Sequence, residues 1–425
     1  MSSPETSPIP PRSIVCIADE DSPLSLLERL TAESPQSIAG VLLSADVPES
    51  SKRLWRSTSQ DRWRFVEQWE EWLGDPSIRL VIVATRSPLQ LEGLRQLAGS
   101  GKSIVLFPRL EHELALPYEL SLLADQTPFD VFPVRRLRQH PALHELQERI
   151  RSGSLGSGVH LQLERKVPAA SSSSQKLLSI AQMEECWVED ADILDFLAGP
   201  FGQLTATRAG EIDGRAPLSQ IIVGSGDGPQ GVWTCTPSES AEWRLTAVGQ
   251  AMQVELFRRG DGNEVSVTSQ VGGGSPTSRS MTNDPCRGVF DQIRAFFSGE
   301  NNPEGLRELI RSYELLDASR RSLKRRRTID LYYDAPTERG NFKTQMSAIG
   351  CGVLTYTLLA ILVGLGIGEM LRQIYGQGEA PGQVDLPPWG NMLMVVVRIL
   401  SFGPLGVFLA LQFLMYFARN SREKS

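Results

Sequence analysis

The sequence predicts an α/β protein in three parts: a doubly wound parallel sheet over 13–132, an α+β domain with a mostly antiparallel open sheet over 133–333, and two transmembrane helices at 344–370 and 391–418. Three observations lead there. Short, continuous apolar runs alternate with amphipathic stretches in the first part, as buried parallel strands and their crossover helices do. After about residue 155, strand-like runs follow one another without helices between them. Near the end, two long uncharged apolar runs stand apart from everything before them.

Composition narrows the function classes. A chain of 425 residues suits two or three domains, and 41% hydrophobic residues is too many for a mostly disordered chain. A net charge of −7 argues against a general nucleic-acid partner. Five cysteines without a C-x-x-C and four histidines without an H-E-x-x-H argue against a disulfide framework, a zinc ribbon or a His-rich metal site, so no metal is expected.

The Ser/Pro-rich start, 1–12, reads as a disordered tail with no export signal. Ser13 to Ala18 (SIVCIA) reads as a first buried strand, with Ser22 as N-cap and Pro23 in the first turn of a helix whose apolar face is Leu24, Leu26, Leu27 and Leu30. Ile38 to Ser44, Leu80 to Thr85 and Ser103 to Phe107 supply further strands. Arg62 to Leu73 and Gln90 to Ala98 supply helices, the first with Trp63, Val66, Trp69 and Leu73 at helical spacing. In the second part, His160 to Glu164, Leu218 to Val223, Gly231 to Thr236, Glu242 to Val248 and Gln253 to Phe257 read as strands. Pro285 to Phe297 and Pro303 to Leu323 read as closing helices, and Ala169 to Ser174 and Gly272 to Ser280 as polar loops.

Thr344 to Gly368 is an uncharged run of 25 residues and Ile399 to Ala418 is a second apolar run; both are apolar on every face. Positive charge gathers outside them, at Lys324, Arg325, Arg326, Arg327, Arg339 and Lys343 before the first and at Arg419, Arg422 and Lys424 after the second. The segment between carries only Arg372 against Glu369, Glu379 and Asp385. The positive-inside rule then places the N-terminal part and the 419–425 tail in the cytoplasm of a cell-membrane protein, with 371–390 outside and 334–343 as a linker. Gly364 and Gly368 read as a close-approach pair within a span rather than a phosphate loop.

Several segments in order resemble the Gfo/Idh/MocA oxidoreductases, the glucose–fructose oxidoreductase and inositol dehydrogenase relatives. They are Trp69 to Leu106, His140 to Gly156 (HPALHELQERIRSGSLG), Asp190 to Pro200 (DADILDFLAGP), Arg244 to Phe257 and Gly288 to Leu331. The resemblance runs from about Ser13 to Tyr332 and leaves out both spans. It implies a Rossmann-like first domain that holds NAD(P) at its first strand–helix turn, hydride exchange with a sugar or polyol, and sheet-mediated oligomers. If a dinucleotide binds, the resemblance puts Ala84, Thr85 and Asp46 against it.

Three motifs that carry this chemistry are altered. The G-x-G-x-x-G positions are Ala18, Glu20 and Pro23, and the turn reads Asp19, Glu20, Asp21. A carboxylate about 5 Å from a phosphate charge, at an effective dielectric of ~20, costs on the order of 3 kcal/mol. The helix terminus returns only about 0.3–1 kcal/mol. Pro108 stands where the family has its catalytic lysine, and the neighbouring Arg109 is a poor acid or base. Glu185 and Glu189 stand in the family's Asp and His positions, one helical turn apart. One of them is a candidate raised-pKa base, and an exposed acidic face is the alternative. Cys16 reads as a core residue, and Cys186 has no histidine near it in sequence to make it a nucleophile.

These features predict a membrane-anchored homologue that has lost hydride transfer and its cofactor, and that acts as a cytoplasmic module binding a protein or small molecule. The alternative is a divergent NAD(P)-dependent oxidoreductase on a sugar or polyol derivative, with Glu189 as base.

Overall fold

A computed structural model describes residues 9–331, apart from 46, 61, 170–176, 225–227 and 261, together with 355–363, 365, 366 and 370. The first sheet holds β1 (Ile14–Ala18), β2 (Ile38–Leu43), β3 (Phe65–Val66), β4 (Leu80–Ala84), β5 (Ser103–Leu106) and β6 (Val131–Pro133). All pairs are parallel and the order is β3-β2-β1-β4-β5-β6, the doubly wound arrangement. Its central strands are continuous apolar runs because helices cover both faces: every residue of β1 and β4 is buried. The helices are α1 (Leu24–Glu33), α2 (Glu49–Ser59), α3 (Pro88–Gly99) and α4 (Ala115–Gln126).

Helix α5 (Pro141–Arg151) leads into the second sheet, made from β7 (His160–Pro168), β9 (Gln203–Ala209), β11 (Leu218–Gly224), β12 (Gln230–Ser238), β13 (Glu242–Val248), β14 (Met252–Arg259), β15 (Glu264–Val271), β16 (Thr277–Thr282) and β17 (Ile329–Asp330). Its order is β16-β15-β14-β13-β7-β12-β11-β9-β17, and only β7 with β12 is parallel. Strands β8 (Leu178–Ser179) and β10 (Arg215–Ala216) form a separate short ribbon. Helix α6 (Ile180–Ala198) packs on β12 and β7, α7 (Arg287–Phe297) returns to α1, and α8 (Pro303–Arg325) runs along α6 and β9. Ser179 starts α6 with a capping box to Gln182.

Three local expectations are corrected. Arg62 to Leu73 is not a helix; Phe65 and Val66 add a short edge strand, and a single 3₁₀ turn follows at Glu70–Trp72. The tryptophans are claimed one by one by distant partners. Trp63 donates its indole N–H to Thr31 at 2.9 Å, while Gly93 leaves the space in which the Trp69 ring sits, a Cβ there falling 2.9 Å from it. The helix lies earlier, at α2, whose buried Trp55 meets Trp63 edge to face at 6.1 Å. Ser22 does not cap α1, because its hydroxyl donates to Glu20; Pro23 is the N-cap and makes no side-chain bond. Part of the expected Gly272–Ser280 loop is strand β16, which is polar on both faces because it lies exposed at a sheet edge.

Contacts divide the chain into Met1–Tyr333 and Asp334–Ser425. In the second unit residues 355–363 are helical, with Leu358 and Leu362 exposed. Among the described residues no helix is long and apolar enough to cross a membrane. Most of the 344–370 span, the 371–390 loop and the 391–418 span lie outside the described residues.

Candidate functional site: an arginine-lined cleft beside a closed phosphate turn

The turn after β1 is where the sheet's topology would seat a dinucleotide, and each of its three carboxylates is engaged by the protein. Asp19 accepts from the Thr85 hydroxyl at 2.9 Å and from the backbone N–H groups of Arg86 and Ser87 at 2.5 and 3.2 Å, just before α3. Asp21 accepts from the Trp55 indole at 2.9 Å and the Ser51 hydroxyl at 3.1 Å. Glu20 accepts from Ser22 and forms an ion pair with Arg109, which follows β5. The Thr85 hydroxyl also accepts from the Ser87 N–H, and Ala84 is fully buried. Ala18 is buried as well, and Asp46 lies outside the described residues.

His112, buried under this region, completes the lock. One ring nitrogen bonds the Thr85 carbonyl at 2.9 Å, and Nδ1 accepts the Arg109 backbone N–H at 3.3 Å. Burial pushes its pKa down to about 4, which keeps the imidazole neutral and fixes Nε2 as the protonated nitrogen. The Tyr313 hydroxyl donates to the Arg109 carbonyl at 2.6 Å and lies 3.0 Å from the Arg109 N–H, holding the segment after β5 from α8.

A cavity of about 500 Å³ opens beside the turn. Seven arginines line it, Arg86, Arg109, Arg135, Arg136, Arg138, Arg165 and Arg258, against four carboxylates, Glu20, Glu185, Glu189 and Asp192. Most are paired. Arg86 reaches Glu185 at 2.7 Å and Glu111 at 3.2 Å. Arg135 and Arg138 share Asp192 and Glu308. Arg136, by contrast, is exposed and donates to the Ser22 carbonyl at 2.9 Å. Nη2 of the buried Arg135 side chain and Nε of Arg109 have no hydrogen-bond partner among the described residues.

Glu185 and Glu189 both face this cavity, but they do not share a proton. Glu185 is tied to Arg86 and Glu189 to Arg165 at 2.7 Å. Although the Glu189 side chain is 43% exposed, partial desolvation in the cleft works to raise its carboxyl, and Arg165 and Arg258 outweigh that and hold it below its ordinary range. Of the two readings of this pair, the raised-pKa base is not what the geometry makes of Glu189. Pro108 lies in the wall and has no proton to move.

Behind Glu189, the fully buried Asp190 accepts from Arg165 at 2.8 and 3.0 Å and from the indoles of Trp233 and Trp243 at 2.8 and 3.1 Å. All four bonds come from groups that only donate, so although burial pushes the Asp190 carboxyl pKa upward against the pull of Arg165, the carboxylate is the form these partners fit. Burial opposes the Arg165 charge, but Asp190 and Glu189 overcome it and push the guanidinium pKa upward. The anion-facing side of the cleft was missed from sequence, although its densest contributor is a visible run, Val134 to Arg138 (VRRLR), directly after β6.

The residues of the turn do not fit a pyrophosphate. The amides that would face it carry no glycine at 18, 20 or 23, and Glu20 and Arg109 already close the approach. The overall fold is nonetheless similar to that of solved structures named as dehydrogenases and oxidoreductases. A levoglucosan dehydrogenase solved with NADH and levoglucosan superposes with a TM-score of 0.61 at 14% identity, over 76% of this chain and 99% of that one. An oxidoreductase from Thermotoga maritima gives 0.59 at 12% identity, over 75% and 97%. A protein provisionally named a myo-inositol dehydrogenase, from Sinorhizobium meliloti 1021, gives 0.58 at 14% identity, over 75% and 99%. The chain has their fold. No family model and no curated protein matches it.

Proposed function

We propose that this chain is a Gfo/Idh/MocA-type homologue whose cleft binds a small anionic molecule and which no longer transfers hydride. The observation that carries the reading is the Glu20–Arg109 ion pair across the phosphate turn. A cofactor's pyrophosphate would have to displace it and then face three carboxylates. The cleft behind it offers guanidinium groups, Arg136 and the unpartnered Nη2 of Arg135, to a carboxylate or phosphate. No group at Pro108 or Glu189 supports proton transfer at the old positions.

The second reading is a divergent NAD(P)-dependent oxidoreductase acting on a sugar or polyol derivative. The fold comparisons support it better than they support lost chemistry, since one of the similar structures holds NADH and levoglucosan. It requires the Glu20–Arg109 pair to open on binding. Calorimetry of the full-length protein with NADH and NADPH, followed by absorbance assays across sugars, polyols and their acids, separates the two. No detectable dinucleotide binding, with millimolar or tighter binding of a sugar acid or sugar phosphate, is expected. A low-micromolar dinucleotide constant with turnover abolished by Glu189→Gln overturns the first reading and establishes the second.

Anchoring at a membrane through 344–370 and 391–418 belongs to the same proposal and rests on the length and flanking charge of those runs. A cysteine placed at Gln377 should be labelled from outside intact cells and one at Ser421 should not. The reverse pattern overturns the orientation.

A further inference from the structure

Helix α6 lies on β12 in a regular match that brings two cysteines together. A Cβ on Gly231 would lie 3.7 Å from the Leu194 side chain. Two residues on, the Trp233 indole donates to Asp190 at 2.8 Å, and its ring lies 5.2 Å from that of Trp187. Two strand residues advance about 6.6 Å and four helical residues about 6 Å. The next step along both elements therefore sets Cys235 against Cys186. Neither is in a disulfide, Cys235 is fully buried, and Cys186 is partly exposed in the cavity wall. The neighbouring Cys186, followed by burial, pushes the Cys235 thiol pKa up. Arg165 lies opposite Cys235 in the β7–β12 register. The charged groups acting on Cys235 are Arg165, opposite it in the sheet, and Asp190, which Arg165 binds.

We propose that Cys186 and Cys235 are a reversible redox pair in the wall of the cleft, with a hydroperoxide as oxidant and Cys186 as the sulfur attacked first. Exposure decides the order: Cys186 can meet a solute in the cavity and Cys235 cannot. The Cys186 sulfur attacks the O–O bond; an S–O bond forms, and the departing hydroxide takes the thiol proton as water. The Cys235 sulfur then attacks the Cys186 sulfur, an S–S bond forms, and the second hydroxide leaves with the Cys235 proton as water. Two thiols and one hydrogen peroxide give one disulfide and two waters, the sulfurs losing the two electrons that the peroxide gains. A dithiol reverses the step by exchange. The bond ties α6 to β12 next to Glu185 and Glu189, so the reduced and oxidised chains present different cleft walls. This inference does not depend on which ligand the cleft takes.

The test counts thiols in the full-length protein, denatured after treatment with stoichiometric hydrogen peroxide. Of its five cysteines, two should be lost and dithiothreitol should restore them. A non-reducing peptide map should show Cys186 joined to Cys235, two hydrogens lighter than the free peptides. Cys186→Ser should abolish the loss. Cys235→Ser should stop the reaction at a sulfenic acid that dimedone captures at Cys186. Cys16→Ser and Cys286→Ser should leave the two-thiol loss intact. An unchanged thiol count, a different linked pair, or a two-thiol loss surviving Cys186→Ser overturns the proposal. Should a variant fail to fold, the wild-type peptide map decides alone.

Discussion

The Glu20 carboxylate and the Arg109 guanidinium meet across the carboxyl end of β4, joining the turn after β1 to the segment after β5. In this sheet order the crevice between β1 and β4 is the switch point where a dinucleotide would lie. The contact thus sets an ion pair beside the fold's ordinary ligand entrance. It also explains why the acidic turn does not unfold the strand end: each carboxylate has its own donor.

Breaking that bond should cost stability. Both side chains are mostly buried, at 22% and 23% exposure, so Arg109→Ala should lower unfolding free energy by about 1–3 kcal/mol, less than a fully buried pair would lose. Urea unfolding checks it, and a change within error would mean the pair is an exposed one of little consequence. Asp19→Gly should also destabilise, by roughly 1–2 kcal/mol, because it strips the acceptor from the Arg86 and Ser87 amides ahead of α3.

Asp190→Ala should be among the most damaging single changes in the second domain. It leaves Arg165 and two buried indole N–H groups without their shared acceptor, a loss on the order of 3–5 kcal/mol. Asp190→Asn keeps the shape but presents an amide N–H₂ to donors, so it should recover only part of that loss. Equal stability of wild type and either variant in denaturant titration would contradict the ionised hub.

His112 should contribute an acid-labile part of the stability. Its folded pKa is depressed from 6.5 to about 4, so between those values the unfolded chain binds more protons than the folded one. The contribution is therefore full above pH 6.5 and is lost as pH falls toward 4. A buried shift of this size is worth on the order of 3 kcal/mol. The difference between wild-type and His112→Gln stabilities, measured from pH 7.5 to 4, should shrink over that window. A constant difference would show that the imidazole is not held neutral.

Gly305→Ala tests a sign. In an exposed helix interior the change would gain about 1 kcal/mol from helix propensity. Here the added Cβ would fall 1.9 Å from the Val131 carbonyl oxygen and 2.6 Å from the Asn302 side chain, so α8 must move off β6. Overpacking of this kind costs about 1–3 kcal/mol, and the melting temperature should fall rather than rise.

The sequence by itself determined the parts whose cause is local. The buried runs at β1, β4 and β5 are uninterrupted apolar segments, and only a strand covered on both faces needs that pattern. The switch to β7 and β11–β14 was likewise visible as strand-like runs that follow one another, and the absence of glycine at 18, 20 and 23 could be read directly. Tertiary structure decided what depends on a partner far along the chain. Trp63 and Trp69 had helical spacing, yet Thr31 and Gly93 hold them just before the edge strand and at the start of the 3₁₀ turn. Glu189 resembled a base in sequence, but Arg165 from β7 made it a bound carboxylate. Arg135, Arg138 and Asp192 come from different elements and meet only when α6 settles on the sheet. Periodicity reports which face of an element is buried; the charge or thiol that waits on that face is set by the register between elements, which no single segment encodes.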